Sequence, residues 1–201
     1  MKVNKALNFN GIVIYRNKIT NAQEIIEALE NAQNFSELRK WKRAEVLNHL
    51  GEVGQDKSRT NYGFFLPSAN QETTNPQEAT FVEISKILAS HFDECLKDFL
   101  SRFAGTIKTK SEELGYHCLK YSIGEEFIPH VDDSPNTPRR VSGLAYLNDD
   151  YEGGELWFPK LNFKYCPIVG DVIMFPSGMP YEHGAMPVTQ GVKYCVVGWW
   201  L

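Results

Sequence analysis

The chain has 201 residues, 42% hydrophobic and 23% charged, with a net charge of −4. That length fits one domain, the balance fits a globular protein, and the acidic sign argues against a nucleic-acid partner. The N-terminal "MKVNKALNFNGIVIYRNK" lacks an apolar run long enough for a signal peptide or membrane span, and the four cysteines (95, 118, 166, 195) form no C-x-x-C pair. The expectation is a cytoplasmic protein with reduced thiols and no membrane partner.

In chain order, "GIVIYR" (11–16) predicts a short strand. Thr20 and Gln23 read as a capping box for a helix that lines up Ala22, Ile25, Ile26 and Leu29 on one face. Residues 54–75 are polar and glycine-bearing and read as one long loop, a length that marks a functional or disordered segment. Asn75 is the expected N-cap of a second helix, with Pro76 in its first position and Glu78 three residues past the cap. That helix carries Phe81, Ile84, Leu88, Cys95, Phe99 and Phe103 and is expected to stop at Gly105.

From about Tyr116 the pattern changes. "YHCLKYSI", "VSGLAYLN", "ELWF", "DVIMF" and "KYCVVGWWL" are short β-branched and aromatic runs, separated by turn signals such as "EGG" (152–154) and "VGD" (169–171). Strands without intervening helices imply a sandwich or jelly roll. The expected architecture is α+β in a single domain (1–201). N-terminal α/β support (about 1–110) places its helices on one sheet of a β-sandwich (about 111–201).

Chemistry enters with "YSIGEEFIPHVDDSP" (121–135). On an extended chain residues i and i+2 share a face, so His130 and Asp132 can converge on one ion. His91-Phe92-Asp93 has the same spacing inside the second helix, where two residues turn the backbone by about 200°, so its side chains diverge and His91 reads as structural. His49 follows a polar stretch, and His117 shares a strand with Tyr121 but has no carboxylate partner. His183, in the Gly/Pro-rich "PSGMPYEHGAMPV", is the best third ligand and is expected in a loop between two strands. Two imidazoles and one carboxylate make the facial triad of non-haem Fe(II) oxygenases. Spacing alone leaves a second reading open, in which His130 pairs with Asp132 or Asp133 on the surface and His183 is an ordinary loop residue. Lys193 opens a strand whose alternation gives it one face with Cys195, Val197 and Trp199. A lysine facing inward needs an anion, such as one end of a dicarboxylate cosubstrate; otherwise it is the last solvated residue before the strand turns inward.

Four motifs occur in order: Y-x-x-G-x-x-F-x-x-H-x-D (Tyr121 to Asp132), "YLNDDYEGGELWFP" (146–159), GD-x-x-x-F (170–175), and His183 followed by Lys193 and Trp199. Together they resemble the 2-oxoglutarate- and Fe(II)-dependent dioxygenases of the prolyl 4-hydroxylase type. "SRTNYGFFLP" (58–67) is more weakly similar to that family's Arg-Thr-Ser stretch in a mobile substrate loop, with Asn61 in place of serine. The resemblance implies a double-stranded β-helix (jelly roll) core. It implies Fe(II) held by His130, Asp132 and His183, and 2-oxoglutarate held by Lys193 with Tyr121 as second donor and Trp199 close by. It also implies O2 as oxidant, ascorbate as reductant, and a proline-containing peptide or protein hydroxylated while 2-oxoglutarate becomes succinate. Lysine at position 193, a compact point charge where nucleic-acid demethylases carry arginines, favours the prolyl hydroxylase branch. Substrate contacts are sought among Arg59, Tyr62, Phe64, Arg139, Arg140, Tyr151 and Trp157. The rival readings are the same chemistry on a free amino acid or other small molecule, a cupin-like metal-binding protein or isomerase without O2 chemistry, and a binding module without turnover. A cupin-like protein would not need Lys193 at its offset.

Overall fold

The computed structural model describes residues 6–34, 39–47, 53–103, 105–107, 113–135 and 138–201. His49 and the expected boundary near residue 110 lie outside them.

The fold opens with a hairpin, β1 (Leu7–Phe9) and β2 (Ile12–Tyr15), and helix α1 (Ala22–Gln33). β3 (Lys42–Arg43), the ladder of β4 (Val46–Leu47) with β5 (Val53–Gly54), and β6 (Tyr62–Phe65) precede the long helix α2 (Pro76–Arg102). The remainder is β-rich, beginning with β7 (Glu113–Tyr121), β8 (Phe127–His130), β9 (Val141–Tyr146) and β10 (Glu152–Gly153). β11 (Leu156–Phe158), β12 (Phe163–Tyr165), β13 (Val172–Pro176), β14 (His183–Ala185), β15 (Val188–Gln190) and β16 (Lys193–Trp200) complete it.

Eight strands form one antiparallel sheet in the order β1-β2-β13-β9-β16-β7-β6-β3, and four form a second in the order β12-β11-β14-β8. Strands from before residue 110 therefore extend the large sheet at both edges. Period-two alternation along β16 explains the layering. Val196 and Trp200 pack with both helices in one core, which includes Ile25, Leu29, Phe81, Leu88, Phe92 and Phe99. Cys195, Val197 and Trp199 face the second core between the sheets, with Leu119, Leu144, Phe158 and Phe175. Every residue of β9 is buried, as a strand sandwiched between helices and a second sheet requires.

Local chemistry sets both helix starts. Asn75 Oδ1 accepts from Gln77 N at 2.9 Å and Pro76 occupies the first turn, as expected for α2. The expected capping box of α1 does not form. The helix begins at Ala22 with Asn21 as its cap, so Gln23 sits one position too early to reach back, and its amide donates to Glu27 instead.

Two expected loops are strands. Within 54–75, β6 pairs with β7, Tyr62 opposite Lys120 and Phe65 opposite His117. Its glycine weakens the strand pattern but is what allows the approach: a Cβ at Gly63 would lie 2.6 Å from His117 Nε2 and 2.8 Å from the Cys118 carbonyl oxygen. His183 begins β14, a ladder of three residues with no β-forming side chain, held between β8 and β11.

Candidate active site

The β8–β14 ladder builds the centre. Its antiparallel register sets His130 directly opposite His183, with ring centroids 4.6 Å apart. Just past β8 the backbone turns inward because the Asp132 and Asp133 amides both donate to the Ser177 carbonyl, at 3.0 and 3.1 Å. Asp132 Oδ1 then lies 3.5 Å from His130 Nε2, and Oδ2 lies 3.6 Å from His183 Nε2. Ligand atoms of the three residues all fall within 4.8 Å of one another.

Their protonation suits a metal. His130 Nδ1 is 3.0 Å from the Ile128 carbonyl oxygen and His183 Nδ1 is 3.1 Å from that of Tyr181. A carbonyl only accepts, so each Nδ1 donates its N–H there, which leaves each Nε2 on the side shared with the carboxylate. Burial lowers the His183 pKa to about 4 against the pull of Asp132, which keeps the ring neutral. Burial alone would raise the Asp132 pKa, but His183, His130 and the Ser142 hydroxyl hold it well below the usual carboxylate range. Ser142 Oγ donates to Asp132 Oδ2 at 2.6 Å and so orients the carboxylate. Two imidazoles and one ionised carboxylate fit Fe(II).

A cavity of about 1040 Å³ opens over this cluster and reaches Lys193. The Lys193 ammonium is buried and donates to the Gly154 carbonyl at 2.5 Å. It sits 5.1, 5.3 and 5.9 Å from the ring centres of Tyr121, Tyr146 and Tyr151. Gly154 adopts φ +64, which strains any side chain, and a Cβ there would crowd Lys193 Cδ at 3.1 Å. Among the described residues, no carboxylate pairs with this ammonium and the buried hydroxyls of Tyr146 and Tyr151 find no hydrogen-bond partner. Burial disfavours the Lys193 charge and lowers its pKa. The arrangement is built for an incoming anion.

Residues 116–201 match the sequence profile of the 2OG-Fe(II) oxygenase superfamily. This segment belongs to that family. Probable prolyl 4-hydroxylase 9 of Arabidopsis thaliana is 28% identical over 161 residues, 65% of this chain and 54% of its own length. Prolyl 3-hydroxylase 3 of Homo sapiens is 39% identical over 69 residues, 32% of this chain and 9% of its own. The present sequence thus spans about half the length of the plant relative and about a tenth of the human one. Among solved structures, a prolyl hydroxylase from Trichoplax adhaerens in complex with a hypoxia inducible factor oxygen degradation domain peptide fragment aligns with a TM-score of 0.70 at 20% identity, covering 97% of this chain and 85% of that one. The shared fold is the double-stranded β-helix.

Within this oxygenase fold, His130, Asp132, His183, Lys193, Tyr121, Trp199 and Arg59 all line one cavity. Tyr62, Arg140 and Trp157 do not. Trp157 lies between the inward Leu156 and Phe158 on β11 and so points outward, under Lys164. Tyr62 is exposed on β6, and Arg140 turns outward toward Asp133, 3.7 Å away. Its neighbour Arg139 lines the cavity instead. Tyr151 approaches Lys193, and Phe64 belongs both to the cavity wall and to the helix-side core. His91 lies in α2, away from the site, as its helical spacing predicts.

Sequence reasoning missed Ser142 and Tyr146. Both lie on the inward phase of β9 with Leu144, so extending the alternation applied to β16 would have found them. It also passed over His117, which faces the cavity stacked on Phe65 at 4.2 Å. Asn61, in the Arg-Thr-Asn stretch, is fully buried, and its Oδ1 accepts from Arg59 Nε at 3.0 Å.

Proposed function

We propose that the protein is a 2-oxoglutarate- and Fe(II)-dependent dioxygenase that hydroxylates a prolyl residue in a peptide or protein. One observation carries this reading: a His-Asp-His cluster, with Asp132 and His183 buried and His130 half-buried, shares a single cavity with an ammonium with which no carboxylate of the described residues pairs. The relatives named as prolyl hydroxylases support the choice of proline.

Bound iron and 2-oxoglutarate supply the oxidation. With both bound, one oxygen atom of O2 would enter the substrate C–H bond and the other the succinate formed with release of CO2. The protein's residues position and protect. His130, Asp132 and His183 would hold the metal at the wall of the cavity. Ser142 and the Ile128 and Tyr181 carbonyls fix their orientation. Lys193 receives the distal carboxylate, with the Tyr146 and Tyr121 hydroxyls as further donors and the Trp199 ring on the same wall. Phe127 stacks on His130, and Phe175 packs edge-on against the buried His183 ring and keeps water from it. Ascorbate as reductant and a cytoplasmic setting belong to the same proposal; the free thiols of all four cysteines accord with the latter.

The test is an anaerobically Fe(II)-loaded protein given 2-oxoglutarate and O2, with succinate and peptidyl hydroxyproline measured together. Peptide-stimulated succinate matched by hydroxyproline is the expected result. Absence of succinate under any condition would overturn the oxygenase reading.

A further inference from the structure

The wall beside the metal ligands carries charge that neither iron nor 2-oxoglutarate uses. Arg139 lays its guanidinium on the Trp199 ring, 3.9 Å from the centroid, and its Nε–H is buried without an acceptor. Trp199 is itself buried, and its Nε1–H likewise has no partner. Arg59 lies over Phe127 at 4.6 Å, and its acceptors among the described residues are neutral oxygens, Asn61 Oδ1 at 3.0 Å and the Glu45 carbonyl at 3.3 Å. Among the described residues, the carboxylate within ion-pair distance of either guanidinium is Asp132, 3.8 Å from Arg139 Nη1, and its charge belongs to the metal. Burial disfavours both guanidinium charges, and Arg59 further disfavours that of Arg139. Between them His117 is held neutral, chiefly by burial and also by the two arginines.

Lys42 and Arg43 on the edge strand β3 line the same cavity, as do Glu45 and Asp56. A concentration of cations on a protein whose net charge is −4 is a local inversion, and low-dielectric walls focus its field into the opening. In the proposed function Lys193 takes the distal carboxylate of 2-oxoglutarate and the metal takes its other end. The anion that matches Arg59 and Arg139 must therefore arrive with the substrate.

We propose that the substrate presents a carboxylate next to the carbon to be hydroxylated and that Arg59 and Arg139, with the Trp199 Nε1–H, receive it. This deepens the proposed function and rests on it. A cavity of about 1040 Å³ exceeds the need of a single amino acid, and the exposed apolar Ile128 and Val131 line its mouth. These features fit an extended acidic peptide, with the carboxylate on an Asp or Glu flanking the target proline. A free α-carboxylate, at a peptide's last residue or on proline itself, offers the same chemistry.

Four probes separate these sources. Two C-terminally amidated peptides share one sequence except for Glu or the isosteric Gln flanking the proline. The third is the Gln peptide shortened to end in a free carboxylate at the residue after proline, and the fourth is L-proline. Hydroxylation is followed by mass spectrometry, and binding by competition with a fluorescent peptide on the iron- and 2-oxoglutarate-loaded protein without O2. The expected result is a preference of about tenfold or more for a carboxylate-bearing probe over the amidated Gln peptide, expressed in KM and Kd and weakened by salt. The winning probe identifies the source. The ratio should fall toward one in Arg59→Gln and Arg139→Gln and recover partly in Arg139→Lys. Because it compares probes within one protein, a variant that merely folds poorly leaves it unchanged. Equal binding of all probes by the unaltered protein would overturn the proposal even if hydroxyproline forms. Carboxylate-selective binding without hydroxyproline would instead sink the prolyl reading and leave the docking site standing.

Discussion

Lys193 places an ammonium among three tyrosine rings with one backbone carbonyl as its acceptor. A charged hydrogen bond is worth about 1.5–3 kcal/mol, so Lys193→Ala should raise the 2-oxoglutarate KM roughly tenfold to a hundredfold while the metal still binds. Steady-state kinetics with varied 2-oxoglutarate, beside a metal titration, checks this; an unchanged KM would remove Lys193 from the role. Ser142 acts one step from the metal, through its 2.6 Å hydrogen bond to Asp132. Ser142→Ala frees that carboxylate to rotate and should weaken metal affinity about tenfold to a hundredfold, since partners that orient ligands typically contribute that much. Calorimetric titration with Mn(II) reads the effect directly, and an unaltered Kd would show that packing alone orients Asp132.

Each element positions the site through its register. The β8–β14 ladder brings His130 to His183, the β7–β16 ladder sets Tyr121 opposite Lys193, and β6 carries Phe65 against His117. The last depends on Gly63, where an added methyl would meet His117 Nε2 and the Cys118 carbonyl within 2.8 Å. Gly63→Ala should therefore push β6 from β7 and destabilise the fold by about 1–3 kcal/mol, the usual scale of overpacking. Denaturant unfolding measures it, and a variant as stable as the parent would mean the strand pair yields freely. By contrast, Asn75→Ala removes a cap at the far end of α2 and should lower stability by about 1 kcal/mol without altering kcat. The two variants together separate strand register from general stability.

For the whole molecule, burial holds two imidazoles neutral that an unfolded chain would protonate at ordinary acidity. The folded pKa of His117 is about 3 and that of His183 about 4, against 6.5 for each when free. Below pH 6.5 the unfolded state takes up protons that the folded state refuses, so stability rises with pH across this range. The contribution is complete above about pH 6.5 and declines as pH falls toward 4 for His183 and toward 3 for His117. Urea midpoints of the metal-free protein should fall between pH 7 and 5, and His117→Gln should flatten the slope. A midpoint independent of pH would mean that both rings are solvated in solution.

The amino-acid sequence by itself determined which candidate donors were available, with a surface ion pair of His130 left open beside a metal site. Residues i and i+2 on an extended strand share a face, which paired His130 with Asp132, and alternation along β16 turned Lys193 inward with Cys195 and Trp199. The start of α2 was equally legible, because Asn75 and Pro76 act within one helical turn. Only the tertiary structure decided what depends on long-range register. It placed His183 on a strand opposite His130 although Glu-His-Gly-Ala carries no strand propensity, since the ladders of β8 and β11 hold it there. It brought Arg139 rather than Arg140 to the cavity, and it sent Tyr62 and Trp157 away. A strand's facing follows from which neighbour it pairs with, and a shift of one residue exchanges its two faces. Local pattern names the chemical groups available, while hydrogen bonding between distant segments selects which of them meet.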